Sequence, residues 1–342
     1  MRVLLVKLTS MGDVLHVLPA VNDLVAHYPE VEIDWMVEDS FSEIPYWNKN
    51  VCSVIPVSTR RWRRLNLTNV REFFSFLQQA RQSPYDYIVD AQGLMKSAAL
   101  ARFAKLAKGG QRIGFSADSI KERSAAKLYT TTITVPRDIH AITRLRLLFS
   151  EGFGYSTDTH LQPSYAVREK LFPKPAQDSN TILFFPSTTW PSKHLNPQIW
   201  RDLVKLVVEE GYKIKISWGS NSEFERAEWI AQGHNRVEVL PKSCLNDLAK
   251  ELRLSAGAIA VDTGLGHMAA ALGVPAVSVY GSTDAKLTGA IGDKQTHLQC
   301  DYPCSPCLLK KCNKLTSQID HAPCYETYTA GDIWAALHGQ II

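Results

Sequence analysis

The densest run of residues able to do chemistry is Ala260-Val261-Asp262-Thr263-Gly264-Leu265-Gly266-His267, followed by Met268 and three alanines. A buried strand ending at Asp262, two glycines for a tight turn and a helix of small residues would aim backbone N–H groups and the positive end of the helix at the strand tip. Such a place holds an anion, a diphosphate above all. The plainer alternative is an ordinary turn with Asp262 or Thr263 as N-cap. The Gly-Lys-Ser/Thr ending of a Walker loop is absent. Thr188, Thr189 and Lys193 follow another apolar run, where two hydroxyls and a cation can hold phosphate oxygens. A lysine there would offset the charge growing on a departing diphosphate; a solvated surface lysine is the competing reading. Glu223, just past Trp218-Gly219-Ser220, suits ribose hydroxyls or simply complements the helix it opens.

Near the start of the chain, Gly12-Asp13 falls at the first strand-to-helix turn. A carboxylate there can take a proton from an acceptor hydroxyl, or it can cap the helix. Arg60-Arg61-Trp62-Arg63-Arg64 precedes a segment with an apolar face, Phe73, Phe74, Phe76 and Leu77. Guanidinium forks bind carboxylates and phosphates, and the neighbouring aromatics fit against lipid headgroups, so an anionic, membrane-borne acceptor satisfies both features. Lys121, Arg123 and Arg144 add cations in the same half; a solvated loop on a core helix is the alternative. Five of the seven cysteines crowd into Cys300, Cys304, Cys307, Cys312 and Cys324. The spacing of Cys304, Cys307, Cys312 and Cys324 allows a tetrahedral zinc site but matches no standard two-knuckle pattern, which favours buried or oxidation-prone thiols.

The elements that must position these residues alternate between apolar runs of strand length and helical patterns. The first half shows Val3 to Val6 and then Val14 to His27, Ile33 to Val37 and then Phe41 to Trp47, and Tyr87 to Asp90 and then Met95 to Ala107. The rhythm restarts at Thr181 to Phe185 and continues through Ala276 to Tyr280. This predicts an α/β protein of two Rossmann-like, doubly wound domains with parallel sheets, facing across a cleft that binds ligand at the strand tips. The boundary is set among Pro163, Pro173 and Pro175, giving domains at residues 1–174 and 175–325, with residues 326–342 as a closing helix. A length of 342 residues with 45% hydrophobic content suits two cores. A formal charge of +4 is too mild to imply nucleic acid. No apolar stretch reaches membrane-span length, and Met1 runs directly into a strand with no signal peptide, so the expectation is a cytoplasmic protein.

The opening Arg2-Val3-Leu4-Leu5-Val6-Lys7-Leu8-Thr9-Ser10-Met11-Gly12-Asp13-Val14-Leu15-His16 resembles the start of the ADP-heptose:lipopolysaccharide heptosyltransferases of glycosyltransferase family 9. Val261-Asp262-Thr263-Gly264-Leu265-Gly266-His267 resembles their nucleotide-sugar motif, and Val89 to Ala98, Arg60 to Arg64 and Tyr280 to Asp284 match in order. The arginine cluster and the Asp90 to Ala98 stretch look most like members that add the first heptose to Kdo, whereas the cysteine-rich tail is closer to members that extend an already heptosylated core. The resemblance implies a GT-B fold, ADP-heptose as donor, Kdo-lipid A as acceptor, inversion at the sugar, no cofactor and no catalytic metal. It implies Asp13 as base and Lys193 as a second catalytic group, with Thr188, Thr189, Lys193, Glu223, Asp262, Thr263, Gly264 and His267 on the donor. Ser10, Arg60, Arg61, Arg63, Arg64, Lys121 and Arg144 would face the acceptor; Lys121 stands where an arginine is expected. The last helix would cross back onto the first domain, and the enzyme would work as a monomer at the cytoplasmic face of the inner membrane. A non-catalytic sugar-nucleotide-binding protein is the reading from another functional class.

Overall fold

A computed structural model describes residues 1–64, 66–173, 179–315 and 321–342. The chain divides into two compact units, Met1–Arg168 and Glu169–Ile342. The boundary expected at 174/175 lies outside the described residues.

In the first unit, six strands form one parallel sheet: β1 (Arg2–Val6), β2 (Glu32–Glu38), β3 (Val51–Val57), β4 (Tyr85–Asp90), β5 (Leu106–Phe115) and β6 (Thr131–Ile133). Their order, β3-β2-β1-β4-β5-β6, reverses direction between β1 and β4. The helices are α1 (Met11–Leu15), α2 (Leu18–His27), α3 (Leu67–Arg81), α4 (Met95–Phe103) and α5 (Ala141–Phe153). Leu4 and Val6 of β1 share a core with Phe76 and Ala80 of α3 and Leu100 of α4. Strand alternation sends Val3 and Leu5 to the opposite face. Both faces are covered, which is why β1 reads as an unbroken apolar run.

Three local expectations fail here. The single helix over Val14 to His27 is two, because Pro19 lies in the first turn of α2 and cannot donate backward across the break. Phe41 to Trp47 holds only 3₁₀ turns, at Asp39–Phe41 and Pro45–Trp47. The helix from Met95 stops at Phe103, and the chain enters β5, whose Lys108-Gly109-Gly110-Gln111 hides it from an apolar scan.

The second unit repeats the plan with β7 (Thr181–Phe185), β8 (Lys213–Ile216), β9 (Val237–Val239), β10 (Gly257–Val261), β11 (Ala276–Tyr280) and β12 (Gln295–Gln299). The order is β12-β11-β10-β7-β8-β9, again fully parallel. Counted from β7, it is the same doubly wound order as in the first unit. The helices are α6 (Pro197–Glu209), α7 (Asn221–Ala231), α8 (Leu245–Arg253), α9 (Gly264–Leu272), α10 (Ala285–Thr288) and α11 (Ala330–Ile341). Asn196 caps α6 by accepting from Gln198 N at 2.9 Å, with Pro197 at the first helical position.

The closing helix buries its apolar face in the second unit. Ile333, Trp334 and Leu337 are buried in the second unit's own core, where α11 packs on α6 and β10. Gly257 makes this possible: a Cβ there would stand 3.0 Å from a Leu337 methyl and 3.1 Å from Pro275 O. Trp334 meets Tyr212 edge-on, with ring centroids 5.4 Å apart.

Candidate active site

In a doubly wound sheet, ligands sit beyond the carboxyl ends of the strands where the order reverses. In the first unit that point lies between β1 and β4, whose register sets Val6 opposite Asp90. Lys7 follows directly and is buried; its Nζ donates to Ala91 O at 3.1 Å and stands 3.8 Å from Asp13 Oδ1. Burial pushes the Lys7 ammonium below its ordinary range, against the pull of the Asp13 and Asp90 charges. Ser10 holds the N-cap position of α1, and Asp13, in the first turn, reaches back to it. Asp13 Oδ2 accepts from Ser10 N at 2.9 Å and from Ser10 Oγ at 2.8 Å. Asp13 is thus the reciprocal partner of the cap residue, with its other oxygen toward Lys7.

Asp90 is fully buried. It accepts from Gln92 N (2.9 Å), Gly93 N (3.2 Å), the Ser97 hydroxyl (2.8 Å) and the Tyr129 hydroxyl (2.7 Å). Burial raises its carboxyl above the ordinary value, while these bonds act the other way. The turn they fold needs Gly93 at φ +71°, with Ile120 packed against the face a side chain would fill. The turn presents Gln92, whose Oε1 accepts from Leu8 N and Thr9 N, each at 3.1 Å. The loop that carries Ser10 and Asp13 is thereby tied to the tip of β4. Around it lies a pocket of ≈ 240 Å³ whose lining includes Lys7, Lys121, Arg137 and Arg144 but a single carboxylate, Asp13. Arg144 is held by Ser119 O at 2.5 Å and lies 5.1 Å over the Phe115 ring. Burial and the nearby Arg137 lower its pKa, yet a guanidinium keeps its proton.

In the second unit the reversal falls between β7 and β10, with Ala260 opposite Phe185. The loop after β7 turns through Pro191–Lys193 and brings Lys193 Nζ to 2.6 Å from Asp262 Oδ2, both side chains largely buried. Thr283 donates to the same carboxylate oxygen. Lys193 Nζ also stands 4.6 Å from the centre of the Trp190 ring. Asp262 therefore faces the lysine and does not cap α9. Thr263 takes the N-cap position with no hydrogen bond from its side chain to the helix. His194 is fixed in one tautomer: Arg226 donates to Nδ1 at 3.0 Å, so Nε2–H donates to Thr188 O at 2.9 Å.

The family model for glycosyltransferase family 9 (heptosyltransferase) matches residues 73–317. The lipopolysaccharide heptosyltransferase 1 of Pseudomonas aeruginosa is 40% identical over 322 residues, covering 94% of this chain and 90% of that protein. The chain belongs to glycosyltransferase family 9. Among solved structures, the Escherichia coli heptosyltransferase WaaC with ADP superposes with a TM-score of 0.86 at 35% identity, covering 99% of this chain and 100% of that one. The same enzyme with ADP-2-deoxy-2-fluoro heptose gives 0.84 at 34% identity, with 99% of each chain covered. The fold of this family 9 chain is GT-B.

The remaining expected residues divide. Lys121 lines the first-unit pocket, whereas Arg123 pairs with Asp118 at 2.7 Å on the surface. Arg60, Arg61, Arg63 and Arg64 do not join that pocket's lining. They are exposed on the 3₁₀ turn after β3, where Arg61 meets Ser58 Oγ at 2.6 Å, Glu72 at 3.3 Å and Asp39 at 3.5 Å. Glu223 closes a capping box on α7, accepting from Gly219 N at 2.7 Å and Ser220 N at 3.1 Å. Gly264 opens α9, His267 is buried within it, and Thr188 and Thr189 precede the turn that carries Lys193.

The four zinc-candidate cysteines are not gathered: among the described residues, no group of three His, Cys, Asp or Glu is placed to hold a metal. Cys324 is instead buried with Cys300 in the second unit's core, while Cys304, Cys307 and Cys312 are half-buried. Lys7, Gln92, Arg137, Thr283 and His194 were missed. Lys7 had a signal: a lysine directly after an otherwise apolar central strand.

Proposed function

We propose that this chain transfers L-glycero-D-manno-heptose from ADP-heptose to a Kdo hydroxyl of Kdo-lipid A. The first unit takes the acceptor and the second the donor. One observation carries the reading in a chain with these relatives: the first-unit pocket sets four cationic side chains against one carboxylate, and that carboxylate has an oxygen toward a buried lysine. An acidic sugar suits such a pocket, and its carboxylate would find Lys121, Arg137 and Arg144.

Asp13 takes the proton from the attacking hydroxyl, whose oxygen forms the new bond to the heptose anomeric carbon. The bond from that carbon to the phosphate oxygen breaks with inversion, and ADP leaves with the electron pair. Lys193 and the first-turn N–H groups of α9 stand opposite the diphosphate. Asp262 and Thr283 hold Lys193 at its post, while Thr188, Thr189, Glu223 and His267 complete the donor site. Ser10 keeps the Asp13 carboxylate turned toward the acceptor. Arg60, Arg61, Arg63 and Arg64 meet phosphates on the outer part of the lipid-borne acceptor. The enzyme works as a monomer, peripheral on the cytoplasmic face of the inner membrane. Among the described residues, no helix is long and apolar enough to cross a membrane.

The test is ADP release by purified protein given ADP-heptose with de-acylated Kdo₂-lipid A or with an already heptosylated core, product mass being recorded. Heptose gain on the Kdo acceptor alone is expected. Gain only on the heptosylated core would transfer the reading to an enzyme that extends the core, and donor binding without product would make the chain a sensor. Asp13→Ala should abolish transfer and keep ADP affinity; robust turnover by it would refute the base assignment.

A further inference from the structure

Helix α3 has two apolar faces and buries one. At about 100° per residue, Phe73, Phe76 and Ala80 fall on the side that packs on the sheet. Leu67, Val70 and Phe74, spaced i, i+3, i+7, fall together on the other side. They are 80%, 38% and 63% exposed. A single exposed leucine needs no explanation, but three aligned apolar side chains on one outward stripe mark a contact surface.

The surroundings name the partner. Arg71 lies on the same outward face, between Leu67 and Phe74, and exposed Arg60, Arg63 and Arg64 sit on the turn that leads into the helix. Beside the stripe, Trp62, Val70 and Phe73 wall a pocket of ≈ 260 Å³ with Arg64 at its edge. Apolar side chains ringed by arginine fit a surface that is apolar inside and negative at its rim. We infer that the outward face of α3 docks on an anionic lipid bilayer, Leu67 and Phe74 entering the headgroup layer and the arginines pairing with lipid phosphates. This deepens the proposed reading, since it rests on a lipid-borne acceptor.

The experiment is co-sedimentation of the full chain with vesicles of phosphatidylethanolamine and phosphatidylglycerol, and with vesicles of phosphatidylcholine alone. The protein should partition onto the anionic vesicles, lose them as salt is raised, and bind the neutral ones weakly. Leu67→Ser with Phe74→Ser should lower the anionic partition coefficient at least about tenfold. It should leave turnover on soluble, de-acylated acceptor unchanged, and that assay separates failure of this inference from failure of the functional reading. If the double variant loses that turnover, Leu67→Ser alone carries the test at the most exposed position, with a smaller loss of binding expected. Wild-type binding by the folded variants, or equal wild-type binding to neutral vesicles, would overturn the inference. A change in self-association of the double variant by sedimentation velocity, with vesicle binding intact, would overturn it in favour of a second copy of this chain.

Discussion

Gln92 has no bond to the proposed base and holds only the backbone of the loop that carries it, and for that reason it tests whether the loop after β1 is held in place from β4. In Gln92→Leu one acceptor oxygen is lost, and Leu8 N and Thr9 N, each 3.1 Å from it, lose their partner. An unsatisfied buried donor costs about 1–3 kcal/mol; Leu8 is buried while Thr9 is only half-buried, so about 2 kcal/mol of stability is the expected sum. The larger effect is on geometry. A displacement of about 1 Å in a catalytic group costs roughly a hundredfold in rate, so kcat should fall by about two orders of magnitude. The KM for ADP-heptose should stay within about twofold, because a fall in kcat at constant KM marks an interaction felt only in the transition state. Gln92→Glu retains the accepting oxygen and should restore stability and part of kcat. ADP release under saturating acceptor measures the rates and urea denaturation the stability. A Gln92→Leu enzyme that is destabilised yet turns over at the wild-type rate would refute the argument, as would a Gln92→Glu enzyme no better than Gln92→Leu.

Removing Lys193 leaves Asp262 buried without its cation, a loss of about 3–5 kcal/mol for such pairs. The surviving Thr283 bond puts Lys193→Ala near the lower figure, about 3 kcal/mol on the cited scale. Urea midpoints for Lys193→Ala with and without Asp262→Asn should show the second change recovering part of that loss, with ADP affinity weakened in both. Burial and Arg226 push the His194 imidazole below 6.5. The unfolded chain then takes up the proton first as the medium is acidified, so stability falls below about pH 6.5. His194→Gln should flatten that fall in a series of urea midpoints from pH 7.5 to 5. Leu337→Ala should cost about 2–5 kcal/mol in the unfolding of the second unit, since it opens a hole between α11 and Gly257; a negligible loss would show that α11 packs elsewhere.

The strands most visible in the sequence were those covered on both faces. Arg2–Val6, Thr181–Phe185, Gly257–Val261 and Ala276–Tyr280 read as apolar runs because helices bury both sides of the central strands. The outer strand β12, Gln-Thr-His-Leu-Gln, is half-exposed throughout and carries no such run. Asp13, Lys193 and Asp262 could be named as candidates because each lies on the segment that follows a central strand, a position set by local pattern. Gln92, Thr283 and Arg137 act across sequence gaps that no local pattern reports, and Asp90 draws on Tyr129, 39 residues away. For the last helix an amphipathic pattern says that a face will be covered and leaves open by what; Ile333, Trp334 and Leu337 are buried in the second unit's core, where Gly257 leaves room for Leu337.

The placement of α11 also bears on how the protein is made. In the first unit the central strand β1 acquires its second neighbour once residues 85–90 have appeared, and the sheet is finished by residue 133. In the second, the sheet is complete at Gln299, but Ile333, Trp334 and Leu337 must still arrive to cover it. A ribosome that has just released the first half holds a unit able to close by itself, while the second stays open until nearly its last turn of helix. Loss of residues 333–337, by a stop codon or a protease, would therefore strike the second unit and leave the first folded.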